Sequence, residues 1–292
     1  MNTVSTTKCI LVAGFPDAGK STMLAALYGI ATDSNPNRPI RLVKYDGDSG
    51  YIQTLLDAWQ RLNPVPRNTG ATEQHPISLR LAADRVGEFE LSLVDIAGEL
   101  FRQLVIGSHV PQELLPKLDD VESIALVVHP MNLIPHELIE NWEGFVASLE
   151  AKENASGGAK KLTPDPKKWI PDFMPSDVSA IVMLHSLLTK PFARRKIRLV
   201  VMISAWELVV QQPPITPAAW LADRMPLLSQ MIHNNEDKII ADVFGVSAQG
   251  GDYNTQREEL AAKSSRAETC FAVTASGDRV HFCEPLICLL VE

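Results

Sequence analysis

A chain of 292 residues, 46% hydrophobic and 21% charged, has the composition of an ordinary globular protein and is long enough for one large domain with a proper core. These values exclude a mainly disordered chain, collagen and a coiled-coil rod. The net charge of −8, from 35 acidic and 27 basic residues, argues against a broad electrostatic surface for nucleic acid and leaves a local basic patch open, and no apolar run reaches the roughly 18 residues that span a bilayer. The first eight residues are polar and hold no signal-peptide core. Cys9, Cys270, Cys283 and Cys288 lack metal-ligand spacing and are expected to be reduced thiols in a cytoplasmic protein.

Residues 8–13 form an apolar run and predict the first strand; a glycine-rich turn follows, then a helix over residues 20–30. Residues 33–74 are mostly polar but carry one amphipathic helix, with Tyr51, Leu55, Leu56, Trp59 and Leu62 on one face and Asp48 or Ser49 as its cap. Residues 77–83 and 89–95 predict two strands joined by a short turn, an antiparallel hairpin. Residues 123–129 predict the next strand, and a helix starts at Pro135 with Leu138, Trp142 and Phe145 on its apolar face. Residues 151–176 hold Gly157, Gly158 and several lysines and prolines, a composition break that predicts a surface insertion. Residues 177–188 predict a helix, 198–204 a strand, 217–233 a helix and 238–247 the last strand, and the apolar tail 283–291 is predicted to be helical and packed on the sheet. Strands alternating with helices from end to end predict one α/β domain over residues 1–292, with a mostly parallel sheet and one antiparallel edge strand.

Between the first strand and the first helix, Gly14-Phe15-Pro16-Asp17-Ala18-Gly19-Lys20-Ser21 fits G-x-x-x-x-G-K-S/T, the P-loop. The glycines let backbone wrap closely round phosphate oxygens, and the loop N–H groups and the helix N-terminus supply the donors. Lys20 is expected to bridge the β- and γ-phosphates and the Ser21 hydroxyl to ligate Mg²⁺. The nucleotide-contacting set is Gly14, Asp17, Ala18, Gly19, Lys20, Ser21 and Thr22. This motif in this context predicts a P-loop NTPase, a three-layer sandwich. The hairpin ends at Asp95-Ile96-Ala97-Gly98-Glu99, a D-x-x-G pattern in which Asp95 holds the Mg²⁺ shell and the Gly98 N–H touches the γ-phosphate only while that group exists.

The P-loop resembles that of translation-factor-class GTPases, above all their Obg and Era relatives, and the D-x-A-G-E element with the chain length resembles the bacterial double-GTPase families of multi-gene conflict systems. The resemblance implies a switch threonine before the hairpin, for which Thr72 is the first choice and Thr69 the second; its hydroxyl and carbonyl close on Mg²⁺ and the γ-phosphate. It implies a base-reading N/T-K-x-D after the strand 198–204, where Ser204-Ala205-Trp206-Glu207 stands instead. The lysine is absent, and Glu207 replaces an aspartate that would accept from the guanine N1 and N2 donors, with Trp206 near enough to stack on a base. It implies a final Ser-Ala-Lys loop, met by Ser247-Ala248-Gln249, whose backbone contacts the guanine carbonyl. Glu99 stands where many such GTPases carry the glutamine that orients the attacking water, and is either that group or a surface switch residue. Asp17 either ligates a monovalent cation such as K⁺ or turns to solvent. His129 and His109 are more simply structural than catalytic, and Arg194, Arg195, Lys196 and Lys190 form a local positive cluster.

The expected activity is therefore Mg²⁺-dependent binding and slow hydrolysis of GTP to GDP, with Lys20, Thr72 and Glu99 as catalytic groups and Ser21, Thr72 and Asp95 at the metal. The expected partners are a guanine nucleotide and a protein partner or second copy engaged through the switch regions. Two other classes stay open: a nucleotide-dependent interaction module that does not hydrolyse, and an ATPase or kinase of the P-loop class. The D-x-x-G switch and the lack of a basic lid argue against a kinase.

Overall fold

The computed structural model describes residues 8–36, 38–66, 77–93, 121–136, 174–189, 196–209 and 214–291. Strand β1 (Lys8–Gly14) is apolar on both faces: Ile10 and Val12 enter one core, and Cys9, Leu11 and Ala13 the other. Such a strand must be covered on both sides. Helix α1 (Lys20–Thr32) covers the first side with Met23, Leu24, Leu27 and Ile30. After β2 (Arg41–Asp46) comes α2 (Ser49–Gln60), whose Ile52, Leu55, Leu56 and Trp59 join the same core. The Asp48 carboxylate caps α2, accepting from the N–H groups of Gly50 at 2.7 Å and Tyr51 at 3.2 Å. The Trp59 ring fills a notch in α1 at Gly29, where a Cβ would lie 2.6 Å from it.

Strands β3 (Ile77–Ala83) and β4 (Gly87–Leu93) form the expected hairpin. Then follow β5 (Val121–Val128), α3 (Ser176–Thr189), β6 (Ile197–Ile203) and a 3-10 turn (Trp206–Leu208). Helices α4 (Pro217–Arg224) and α5 (Pro226–His233) precede β7 (Ile239–Ser247), and α6 (Arg257–Ala261), β8 (Phe271–Val273), β9 (Arg279–His281) and α7 (Glu284–Cys288) close the chain. The second core is sealed by Ala180, Met183, Leu184 and Leu187 of α3, Trp220 and Leu221 of α4, and Leu228 of α5. The single helix expected over residues 217–233 is two, because Pro226 has no N–H to continue the ladder and Met225 leaves helical geometry at φ −135°. The first N–H groups of α5, from Leu227 at 2.8 Å and Leu228 at 2.6 Å, bond the buried Asp177 carboxylate of α3 instead.

Among the described residues the sheet has nine strands in the order β2-β3-β4-β1-β5-β6-β7-β8-β9. The five central strands, β4 to β7, are parallel. The expectation of one antiparallel edge strand is corrected: β3 and β8 both run against the rest, and neither is at an edge. Short connections force this, since a parallel return needs a crossover; β8 and β9 are joined by only residues 274–278. Strand β2, in the stretch read as polar with one helix, was not legible because most of its side chains are exposed, and β8 and β9 are too short for periodicity. The tail carries Leu286, Ile287, Leu289 and Leu290 onto the first core and is helical only over α7. The helix expected from Pro135 and nearly all of the expected insertion at 151–176 lie outside the described residues. Among the described residues no helix is long and apolar enough to cross a membrane.

At Gly245 in β7 an added Cβ would run into the Trp206 ring, which sits on the strand. Gly245→Ala is expected to lower stability by about 1–3 kcal/mol through overpacking, read from the urea midpoint at unchanged m-value.

Candidate nucleotide-binding site

The loop from Gly14 to Gly19 lies at the C-terminal end of β1, at the centre of the parallel strands. A Cβ on Gly14 would strike the Val127 carbonyl, so β1 and β5 can approach only with glycine there. Gly19 sits at φ 91°, left-handed backbone that turns the chain into α1, and a Cβ on it would lie 3.2 Å from the Ser204 hydroxyl. Asp17 also takes a left-handed conformation, at φ 59°, and its side chain is exposed. Helix α1 has no side-chain cap at Gly19 and no acidic residue in its first turn, so the positive end of its dipole faces the loop. The Lys20 ammonium folds over the loop and donates to the carbonyls of Gly14 at 3.1 Å and Phe15 at 2.9 Å. Ser21 and Thr22 follow it in the first turn of α1.

Two side chains from neighbouring strand ends hold this loop. The buried Ser204 hydroxyl, just past β6, donates to the Ala18 carbonyl at 2.7 Å, and the Val128 carbonyl lies 3.2 Å away as a weaker alternative. The Asn132 side-chain amide, from the loop after β5, donates to the Asp17 carbonyl at 3.2 Å. Asn132 carried no sequence signal, since one amide in a loop belongs to no motif.

Beyond Ser204 the chain turns through Ala205 at φ 46° into the 3-10 turn that carries Glu207. The Glu207 carboxylate hydrogen-bonds the Ser247 hydroxyl, so the turn after β6 meets the end of β7. Burial pushes this carboxyl above the usual range; the Ser247 bond and a backbone bond pull it back, and Asp252 adds a further upward push. Its Oε2 is buried without a hydrogen-bond partner among the described residues. Ser247 is fully buried and also accepts from the Gly250 N–H at 2.9 Å. The Ala248 carbonyl accepts from the Trp59 indole at 2.7 Å, so α2 reaches this loop. Trp206 is 9% exposed and packs on Gly245.

The loop, Lys20, Ser21, Glu207, Ser247 and Ala248 thus lie along the C-terminal ends of β1, β6 and β7, where ligands of parallel α/β sheets bind. His129 lies next to Asp17 but is tied to its own loop, its Nδ1 accepting from the Met131 N–H at 3.2 Å. Burial lowers its pKa against the raising effect of Asp17. Thr69, Thr72, Asp95, Gly98, Glu99, His109, Lys190, Arg194 and Arg195 lie outside the described residues. Lys196 is exposed, as expected of a solvated cluster. The four cysteines form no disulfide with one another, and the described residues hold no cluster of three or more His, Cys, Asp or Glu fit for a metal ion.

No curated protein matches this sequence. Solved structures similar to it include the signal recognition particle receptor SRb-GTP/SRX complex from Chaetomium thermophilum, at 11% identity and TM-score 0.39 over 84% of this chain and 92% of that chain. A small COPII coat GTPase SAR1 from Encephalitozoon cuniculi in complex with GDP is 13% identical, with TM-score 0.37, over 88% of this chain and 76% of that one. The GTP-bound Ski7 GTPase-like domain of S. cerevisiae is 14% identical, with TM-score 0.40, over 97% of this chain and 49% of that one. The profile of the family described as Double-GTPase 1 matches residues 11–282, a span that takes in the P-loop, the Glu207 turn and the Ser247 loop. With its P-loop between β1 and α1 in an α/β sheet, the chain belongs to the Double-GTPase 1 family, a class of P-loop GTPases.

Proposed function

We propose that this protein binds GTP with Mg²⁺, hydrolyses it slowly and works as a switch for a protein partner or a second copy of itself. The observation that carries the reading is the Ser204 hydroxyl on the Ala18 carbonyl. It hangs the Glu207 turn on the phosphate loop, so one ligand with a phosphate end and a base end fits both. The loop N–H groups and the open end of α1 hold the phosphates, with the Lys20 ammonium moving from the loop carbonyls to phosphate oxygens. The unpartnered Glu207 oxygen then accepts from guanine N1 and N2, and amides near Ala248 meet the guanine carbonyl.

The donor set fits Mg²⁺ in the usual manner of such loops, with the Ser21 hydroxyl in the first turn of α1. Bound there, the cation would neutralise charge on the β- and γ-phosphates. Thr72 and Asp95 complete its shell in this reading, Gly98 senses the γ-phosphate and Glu99 orients the attacking water. The exposed Asp17 is the candidate ligand for K⁺. A three-layer sandwich in a single domain, a cytoplasmic location and a role in a bacterial conflict or defence system belong to the same reading and rest on the resemblance of the motifs.

Comparing GTP with ATP in a binding titration, then following phosphate release, separates this reading from a non-hydrolysing module and from an ATPase. Lys20→Ala is expected to cost about 2–4 kcal/mol of nucleotide affinity, and near wild-type GTP binding would sink the phosphate assignment. Glu99→Ala should lower kcat by about 10²- to 10⁴-fold with GTP affinity nearly intact, measured under saturating Mg²⁺ in K⁺ and again in Na⁺. Equal wild-type rates in the two salts would leave Asp17 a solvent-facing residue.

Glu207→Gln gives a prediction of opposite signs for ligand and fold. It removes an acceptor for the base, so GTP and GDP should both bind more weakly. The nucleotide-free variant should be more stable than wild type at neutral pH. The folded carboxyl is raised, so the unfolded chain ionises first and wild type loses stability as pH climbs from the ordinary glutamate value of 4.5 through the folded value. The gap in Tm should therefore close as pH falls below the ordinary value; a gap independent of pH would mean that Glu207 is not held in a raised state.

A further inference from the structure

The loop after β7 is held from behind by side chains that make no contact assigned to the nucleotide. The Ala248 carbonyl takes the Trp59 indole N–H at 2.7 Å and the Cys270 thiol at 3.1 Å. Arg266 donates through Nη2 to the Gln249 carbonyl at 2.9 Å and to the Tyr253 hydroxyl at 2.8 Å, and through Nη1 to Thr269 at 2.9 Å. Its guanidinium carbon lies 5.2 Å from the Trp59 ring centroid and 5.5 Å from that of Tyr253, so one cation ties both rings together. Trp59 itself is 2% exposed and seated in the Gly29 notch of α1, which leaves its N–H a single direction.

A trans peptide is planar, so a carbonyl and the next N–H point in opposite directions. Fixing the Ala248 carbonyl on Trp59 aims the Gln249 N–H away from α2. Fixing the Gln249 carbonyl on Arg266 aims the Gly250 N–H away from the guanidinium, and it donates to the Ser247 hydroxyl. That same hydroxyl bonds Glu207, so the amide directions and the carboxylate pose share one set of anchors.

We propose that Trp59 and Arg266 are positioning residues for base recognition: Trp59 aims the Gln249 N–H toward the base, Arg266 ties the Gly250 N–H to the Ser247 hydroxyl that Glu207 shares, and together they set a preference for 6-oxopurines over 6-aminopurines. The proposal rests on the guanine-nucleotide reading above. An N–H donor suits an oxygen on purine carbon 6 and is mismatched against an amino group there. A locked peptide cannot rotate to offer its carbonyl to that amino group, whereas a freed one can, so the anchors act by penalising the wrong base.

The test is calorimetric titration of the full chain with GDP, IDP and ADP, for wild type, Trp59→Phe and Arg266→Lys. Phenylalanine keeps a ring in the notch and removes the donor; lysine keeps the charge and loses the fork. In each variant the preference of GDP and IDP over ADP is expected to fall by about ten-fold, the worth of one oriented hydrogen bond. An unchanged preference overturns the proposal, whatever happens to Tm, because a merely structural role lowers stability without moving the ratio. Should Trp59→Phe fail to fold, Arg266→Lys, at a half-buried residue, carries the same test. A wild-type chain with no preference for GDP over ADP overturns the guanine reading itself, which separates that failure from failure of the anchors alone.

Discussion

The hydrogen bond from the Ser204 hydroxyl to the Ala18 carbonyl ties the loop after β1 to the end of β6, two strands away in the sheet. A loop built to wrap an anion turns its N–H groups inward, so its carbonyls face the surrounding protein and need donors there. Lys20 serves Gly14 and Phe15, Asn132 serves Asp17, and Ser204 serves Ala18. Only the last sits on a strand end that continues directly into another candidate contact, the Glu207 turn. The spacing between the Gly14–Gly19 loop and the Glu207 turn is therefore set by the parallel pairing of β1, β5 and β6 and then fixed by one short side chain. Gly19 belongs to the same constraint, because a Cβ there would crowd that hydroxyl.

Glu207 shows where the fold departs from its own stability optimum. A buried oxygen with no partner costs about 1–3 kcal/mol, more when it carries charge, and native proteins rarely tolerate one without a use for it. A ligand that brings two donors to the carboxylate removes that penalty and restores the ionised form. Among the described residues Arg38 Nε and Arg266 Nε are also buried without a partner, and Glu207 differs from them in being an acceptor on a carboxylate.

The parts legible from sequence were those whose chemistry dictates backbone geometry. Gly14, Gly19 and Lys20 are recognisable because few other residues fit those conformations and that charge. The central strands and α1 were legible because residues such as Ile10, Leu11 and Val12 are apolar whichever face they present. Strand β2 was not, since Arg41, Val43 and Lys44 look like loop residues when only one face of an edge strand is covered. Trp59 was legible as part of an apolar face, but its polar edge was not: the partner carbonyl lies 189 positions away in the chain, and no local pattern encodes a contact of that range. Arg266 and Asn132 were illegible for the same reason, being common residues made special only by where the sheet brings them.

The outer strands of the sheet decide how the molecule can meet another. Strand β2 leaves one edge open, but its ladder slips between Leu42 and Lys44, with Val43 bulged out and Arg41 paired to Asp84 across the end. At the other edge β9 is three residues long, and Arg279 lies over the Phe271 ring 4.0 Å away. A foreign strand finds at one margin a broken hydrogen-bond repeat flanked by charge, and at the other a stub too short to template growth. Among the described residues, both edges of the nine-stranded sheet thus carry features that disfavour the addition of a further strand.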